Sequence, residues 1–398
     1  MKKVLFILMA VLVTVQVSAG VLLVKEYGVN GTYSTIQSAI NATVEGDTVL
    51  VFPKPSGIAW SEGTLYLDNQ IILLDSDGSP FSQNGTSALH IQIADGRQYD
   101  FMGWDWSGRN IYFNSGSASE NNKCIVNITD CVFSTVDLNR EGIDARIFNN
   151  TIHQLNLRYG VIIANDLHNL DIINEYSWRT DTLLIIANIN VDIDINTNYY
   201  VWMYNNYVRE HDGDYALSIT NMNSGSDNYN IIANNTFYYD QSEGVRVEWH
   251  SNTKITNNYF YNSYQNHTWA LQGWGSTSGT PFVSYNYANY NGSSSRNQCN
   301  IPMGLEYNCF GSCQSGNYSL GSRGKVIQTN SGNYLGEYND IDLTRNDVGT
   351  YGGPHSIDNF WDQPNPNNSK ARINFLNLPH FFTTPGTIDL KGGAHIRE

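Results

Sequence analysis

Charge is scarce in this chain. Asp, Glu, Lys and Arg make up 15% of its 398 residues, and the 22 basic side chains face 37 acidic ones, for a formal net charge of -15. A phosphate-binding surface needs clustered Lys and Arg, and no run of them occurs, which argues against nucleic acid as a partner. An acidic surface suits neutral ligands, cations and solubility outside the cell. Cysteine is also sparse, at 5 residues, which excludes a dense disulfide framework. Cys299, Cys309 and Cys313 share one stretch and Cys124 and Cys131 another, so one thiol stays unpaired unless it links two chains. No Cys-x-x-Cys or His pair accompanies them, and a zinc site is disfavoured. Beyond the first 20 residues no apolar run is long enough to span a bilayer.

What the chain does carry is a core and a great deal of amide. Hydrophobic residues reach 41%, so a sizeable core can be buried, and about one residue in eight is Asn, far above ordinary usage. Met1-Lys2-Lys3, the apolar run Val4 to Val13 and the small-residue site Val17-Ser18-Ala19 form a secretory signal over residues 1–19, cut before Gly20. The expected location is secreted, extracellular or cell surface, with no membrane span. No Cys sits near the cut, which disfavours a lipid anchor.

One phrase returns through the middle of the chain. Met203 to Val208, Ile232 to Phe237 and Ile255 to Phe260 all run apolar, any, Asn, Asn, any, apolar. Ile147 to Ile152 fits fully, while Ile128 to Phe133, Ile186 to Val191 and Val283 to Ala288 keep half of the phrase. These copies start about 16 to 29 residues apart, the spacing of a solenoid. Between them apolar residues alternate, as Val245, Val247 and Trp249 do against Arg246, Glu248 and His250, the period of a strand with one buried face. An Asn pair suits a tight corner, because Asn tolerates left-handed backbone angles and can bond its own turn. Stacked coil on coil, the amides can bond one another. The expectation is an all-β solenoid over residues 20–361.

Ser34 and Gln37 make a capping box and Ile36, Ala39 and Ile40 share a helix face, so a short helix at about 34–45 is expected to cover the first coil. Tyr33-Ser34-Thr35-Ile36-Gln37-Ser38-Ala39-Ile40 followed by Gly46-Asp47-Thr48-Val49, with the Asn corners behind it, resembles the pectin lyase-like superfamily. That resemblance implies a single-stranded right-handed parallel β-helix. The stretch Asp340 to Pro354 is similar to a tail that closes many secreted bacterial β-helix proteins, with Leu343 where that tail usually has Gly. The superfamily spans lyases, hydrolases, esterases, epimerases and surface proteins, so its implication is specific for fold only. The paired-Asp, Gly-His-Gly and Arg-Ile-Lys phrases of polygalacturonase-like members are absent, as are those of pectate lyases and pectin methylesterases.

Elsewhere, Asp105 to Lys123 is rich in Gly, Ser and Asn and is expected to leave the stack as a loop. Val326 to Tyr338 is expected to form a final coil, residues 362–370 a linker, and residues 371–398 a small β segment with strands around Ile373 to Phe375 and Ile388 to Leu390.

Candidate chemistry gathers where three coils follow their Asn corners: Arg209, His211 and Asp212; Glu243, Arg246, Glu248 and His250; His267 and Trp269. Arg246, Glu248 and His250 are expected to point outward together. An Arg with a His base is what a uronate lyase needs, and paired carboxylates are what a hydrolase needs. Alternating charges are equally what a solvated sheet face shows. Trp249, Trp269, His267 and Tyr239 are candidate sugar contacts, because rings stack on sugar faces. Asp340, Asp342, Asn346 and Asp347 offer hard oxygen ligands for calcium, against the alternative of a hydrogen-bonded turn. The residues favour a non-catalytic protein that binds a polysaccharide or builds a surface assembly through self-association or other surface proteins. A polysaccharide lyase, before a glycoside hydrolase, is the alternative.

Overall fold

The computed structural model describes residues 20–28, 32–52, 54, 60, 62–69, 71–75, 88–115, 122–173, 181–210, 215–220, 222, 224, 228–239, 244–248, 250–262, 269–273, 280–288, 298–299, 301, 308, 318–320, 326–328, 347–350, 355–357, 371–377 and 391–396. The chain is almost wholly strand, and most of it alternates between two large parallel sheets of 13 and 15 strands. Each strand of the first sheet pairs with the next one to return there, in unbroken parallel register from Cys124–Thr129 through Ile143–Phe148, Gly160–Ile163, Thr182–Ile186, Tyr200–Tyr204, Asn230–Ala233 and Thr253–Thr256 to Phe282–Ser284. Chain order thus equals stacking order. That is the topology of a parallel β-solenoid.

The corner between the sheets explains the repeated phrase. Its first residue takes a left-handed backbone, with φ between 53° and 58° at Asp130, Asn149, Ala164, Ala187, Asn205, Asn234, Asn257 and Tyr285. Its second residue turns inward. Asn150, Asn165, Asn188, Asn206, Asn235, Asn258, Asn286 and Asn308 stand one above another, and the main-chain N–H and Nδ2 of each of the first seven donate to Oδ1 of the next at 2.9–3.1 Å. Below the first rung, the N–H of Cys131 donates to Asn150 Oδ1 at 2.9 Å. Remaining Nδ2 capacity goes to carbonyls of neighbouring coils, as from Asn206 to Ile185 and Tyr204. Asn188, Asn206, Asn235, Asn258 and Asn286 are fully buried. Burial of so many amides is tolerable because their donors and acceptors are matched.

Inside the coil, strand alternation delivers one continuous apolar column, with Ile147, Ile162, Ile185 and Met203 all fully buried at successive levels. Cys124, Cys131 and Cys299 are free thiols. Burial pushes the Cys131 thiol up to about 12.

Three expectations need correction. The helix runs only from Ile36–Ile40, and its N-cap is Thr35, whose hydroxyl accepts from the Ser38 N–H, rather than Ser34. Glu62 supplies the remaining acceptors, taking the N–H groups of Ile36 and Gln37, while the Gln37 side chain bonds both main-chain groups of Tyr66. Asp105–Ser115 is a strand of 11 residues, not a loop, because Trp106, Ile111 and Phe113 fill the core and Gly108, at φ 89°, absorbs the irregularity. Val326–Gln328 is no coil of the stack: it pairs antiparallel with Tyr318–Leu320 and with Asp347–Val348, as a short connection permits and a parallel crossover would not. Ala371–Asn377 pairs antiparallel with Lys391–Ile396, and the expected strand around Ile388 and Leu390 lies outside the described residues. The linker 362–370 and the first 19 residues lie outside the described residues. Among the described residues no helix is long and apolar enough to cross a membrane.

Candidate functional site

From Asp105–Ser115 to Ile189–Asn196 the second sheet is built of long strands that run through a bend. Beyond Ile189–Asn196 each is replaced by two short ones. Its first half pairs with Tyr207–Arg209 and its second half with Leu217–Thr220, and the split continues upward. In four successive coils the two short strands, Tyr207–Arg209 and Leu217–Thr220, Thr236–Tyr239 and Val245–Val247, Tyr259–Asn262 and Trp269–Gly273, Tyr287–Ala288 and Gln298–Cys299, are separated at the same corner. His211, Asp212, Glu243, Trp249 and His267 lie outside the described residues.

Two in-register columns flank that corner. On one side Arg209, Tyr238 and Tyr261 are direct neighbours on adjacent strands. Tyr238 and Tyr261 stack with centroids 5.3 Å apart and planes 18° from parallel, and the Arg209 guanidinium lies 5.5 Å from the Tyr238 ring centre. Arg209 is exposed and both tyrosines are half-buried. On the other side Ser218, Arg246 and Gln272 share a row. Tyr215 ties this row together, lying 5.3 Å beneath the Arg246 guanidinium and donating its hydroxyl to Gln272 Oε1 at 2.9 Å. Glu248 is half-buried beyond the end of that strand, and Trp269 is half-buried at the start of the next.

His250 does not join the outward group. The strand ends at Val247, and His250 begins the turn into Thr253–Thr256, with its N–H on Thr253 Oγ1 at 3.0 Å and its side chain buried. Tyr239 is not a surface ring either. Strand alternation sends Phe237 and Tyr239 inward, fully buried, and leaves Tyr238 outside.

The proposed calcium tail is placed only in part. Asp340, Asp342 and Asn346 lie outside the described residues, and Asp347 enters a strand. The residues after it strap the corner: the Gly349 N–H donates to Asn257 O at 2.8 Å, the Thr350 N–H to Thr236 Oγ1 at 3.1 Å, and Asn205 Nδ2 to Thr350 O at 3.2 Å. Val348 is buried against Tyr259, and His355 sits beside Tyr204 with ring centres 5.5 Å apart. Burial lowers the His355 pKa below the usual imidazole value. Among the described residues no three His, Cys, Asp or Glu gather as a metal group.

A second polar cluster escaped the sequence reading. On the outside of the first sheet Asp100, Asn127 and Arg146 lie in one row across three coils, with Asp144 on the Arg146 strand and 3.6 Å from its guanidinium. Asn127 donates its amide to Asp100 and Gln98 adds a second donor. Desolvation nonetheless raises both carboxyls above their ordinary value, with Asn127 opposing it for Asp100 and Arg146 for Asp144. The signal in the sequence was charge alternating with Tyr99, Phe101, Ile143 and Ala145, but only the register brings those two segments together.

Comparison of the chain with protein-family models, with curated proteins and with solved structures gave no match.

Proposed function

We propose that this is a secreted, non-catalytic right-handed parallel β-helix of the pectin lyase-like kind that holds a polysaccharide along the corner between Arg209 and Gln272, with the short helix at Ile36–Ile40 covering the first coil. The observation that carries this reading is the in-register column Arg209, Tyr238, Tyr261. Coils rise by about 4.8 Å, close to the length of one pyranose unit, so stacked rings offer a repeating apolar surface to successive sugars. Arg246 and Gln272 across the corner supply donors for hydroxyls or uronate carboxylates. The test is affinity electrophoresis against neutral and uronate polysaccharides. Retention on a glycan that is weakened by Tyr238→Ala and Tyr261→Ala supports the reading, and no retention on any of them sinks it.

The Asp100, Asp144 and Arg146 cluster favours a second reading. Carboxyls whose pKa burial raises, set beside an Arg, are the equipment of acid–base catalysis. A polysaccharide lyase or glycoside hydrolase would place its chemistry there rather than at His250. New reducing or unsaturated ends from a polysaccharide panel, abolished by Asp100→Asn, would establish it.

A further inference from the structure

Asp47 is a buried carboxylate, 4% exposed, with no cationic partner among the described residues. Its two oxygens accept main-chain N–H groups, Val44 at 2.8 Å and Gly20 at 2.6 Å. Gly20 is in turn fixed by the Thr48 N–H, which donates to its carbonyl at 2.9 Å, at the start of the strand Val21–Val24 in the first sheet. A Cβ at residue 20 would lie 3.3 Å from Asp47 Oδ1, so the smallest residue suits the approach. A buried carboxylate that accepts only amides among the described residues has no compensating charge there. The sequence puts the small-residue cleavage signal Val17-Ser18-Ala19 immediately before the Gly20 nitrogen that Asp47 touches from across the chain.

We propose that Gly20 is the mature N-terminus and that its α-ammonium is the counter-ion of Asp47. Hydrolysis of the Ala19–Gly20 peptide bond takes up one water and leaves a carboxylate on Ala19 and an amine on Gly20, which is protonated at neutral pH. The amide donor at 2.6 Å becomes a cationic one without moving the chain, and a hydrogen bond becomes a charge-assisted pair. Removal of the leader thereby completes the first coil, and the folded state is most stable only after processing. The proposal rests on the secretion reading for the cut alone.

The experiment compares two forms made from a fusion that leaves no residue behind, one starting at Gly20 and one at Ala19. Extension by one residue moves the ammonium by about 3.8 Å, out of reach of Asp47. The Gly20 form is expected to have a folded-to-unfolded ratio on the order of tenfold higher, read from urea unfolding, and the difference to vanish in Asp47→Asn. Equal stabilities of the two forms with Asp47 intact overturn the pairing. A readout that needs no variant at position 47 is the rate of labelling by a reagent selective for α-amines. It should be on the order of tenfold slower for the Gly20 form, and equal rates overturn the proposal as well. N-terminal sequencing of exported protein separates the two claims: a start elsewhere refutes the maturation step, while the comparison in vitro still decides the Asp47 contact.

Discussion

Thr350 and Thr236 lie 114 positions apart in the chain and share their hydroxyls at 3.3 Å, with the Thr350 N–H also on Thr236 Oγ1. This contact fastens the segment after the third, antiparallel sheet across the outside of three amide corners.

Gly349 is where that fastening is most exposed to substitution. Its φ is 86°, and a Cβ there would sit 2.6 Å from Thr236 Oγ1 and 3.0 Å from Tyr259 Cβ. Gly349→Val is expected to cost about 2–4 kcal/mol through left-handed strain and overlap. The check is the urea midpoint together with the rate of proteolytic cutting within residues 340–360.

A mid-ladder amide should be worth more than its own bonds. Asn206→Leu removes the acceptor of the Asn188 N–H and Nδ2 and the donor to Asn235, all buried. The expected loss is about 3–5 kcal/mol, since several orphaned groups each cost about 1–3 kcal/mol and relaxation recovers part. Asn205→Gly, one residue earlier, keeps the left-handed corner and should cost about 1 kcal/mol. Equilibrium unfolding of the two variants compares them directly.

Adjacent tyrosines should separate binding from stability. Tyr239→Ala empties a fully buried site and is expected to cost about 3–5 kcal/mol. Tyr238→Ala, outside the same strand, should leave the unfolding midpoint nearly unchanged and weaken polysaccharide retention by about 0.5–1.5 kcal/mol per ring. Electrophoretic retention and thermal melting on the same samples give both answers.

Asp100 and Asp144 predict a pH dependence of unusual sign. Their carboxyls are raised by burial in the fold, so the folded state holds protons that the unfolded chain has released. Their contribution is complete below the ordinary carboxylate range and is lost as pH rises through the raised values. Asp100→Asn should therefore flatten the fall in the urea midpoint as pH rises above the ordinary carboxylate range. An unchanged slope would mean that the carboxylate stays ionised.

The Asn doublets made the architecture legible because each has two separable tasks: the first residue accepts a left-handed backbone and the second forms a rung. Where one task falls to another residue the signal weakens. Ala164 precedes the rung Asn165 and Tyr285 precedes Asn286, and the phrase around Asn188 belongs one residue earlier than its apolar ends suggested, since Ala187 holds the positive φ. Asn308 carried no visible partner. The candidate corner was legible as polar residues that follow three Asn corners in turn, but which rings face out depended on strand ends. Tyr238 and Tyr239 differ only by parity, and His250 was assigned outward by extending an alternation past the end of its strand at Val247. Asp100 and Asp144 were invisible for another reason: their association depends on which coil lies beside which, and no local pattern carries that.

All the ladder amides hand their protons in the same chain direction, from Cys131 at one end to Asn308 at the other. Rungs repeat one another, so excising the residues between two of them, such as 188–205, would bring the Asn165 donors against Asn206 Oδ1 and keep the ladder itself matched. Length in such a molecule can be lost or gained in whole turns, and its ancestors need not have had the same number.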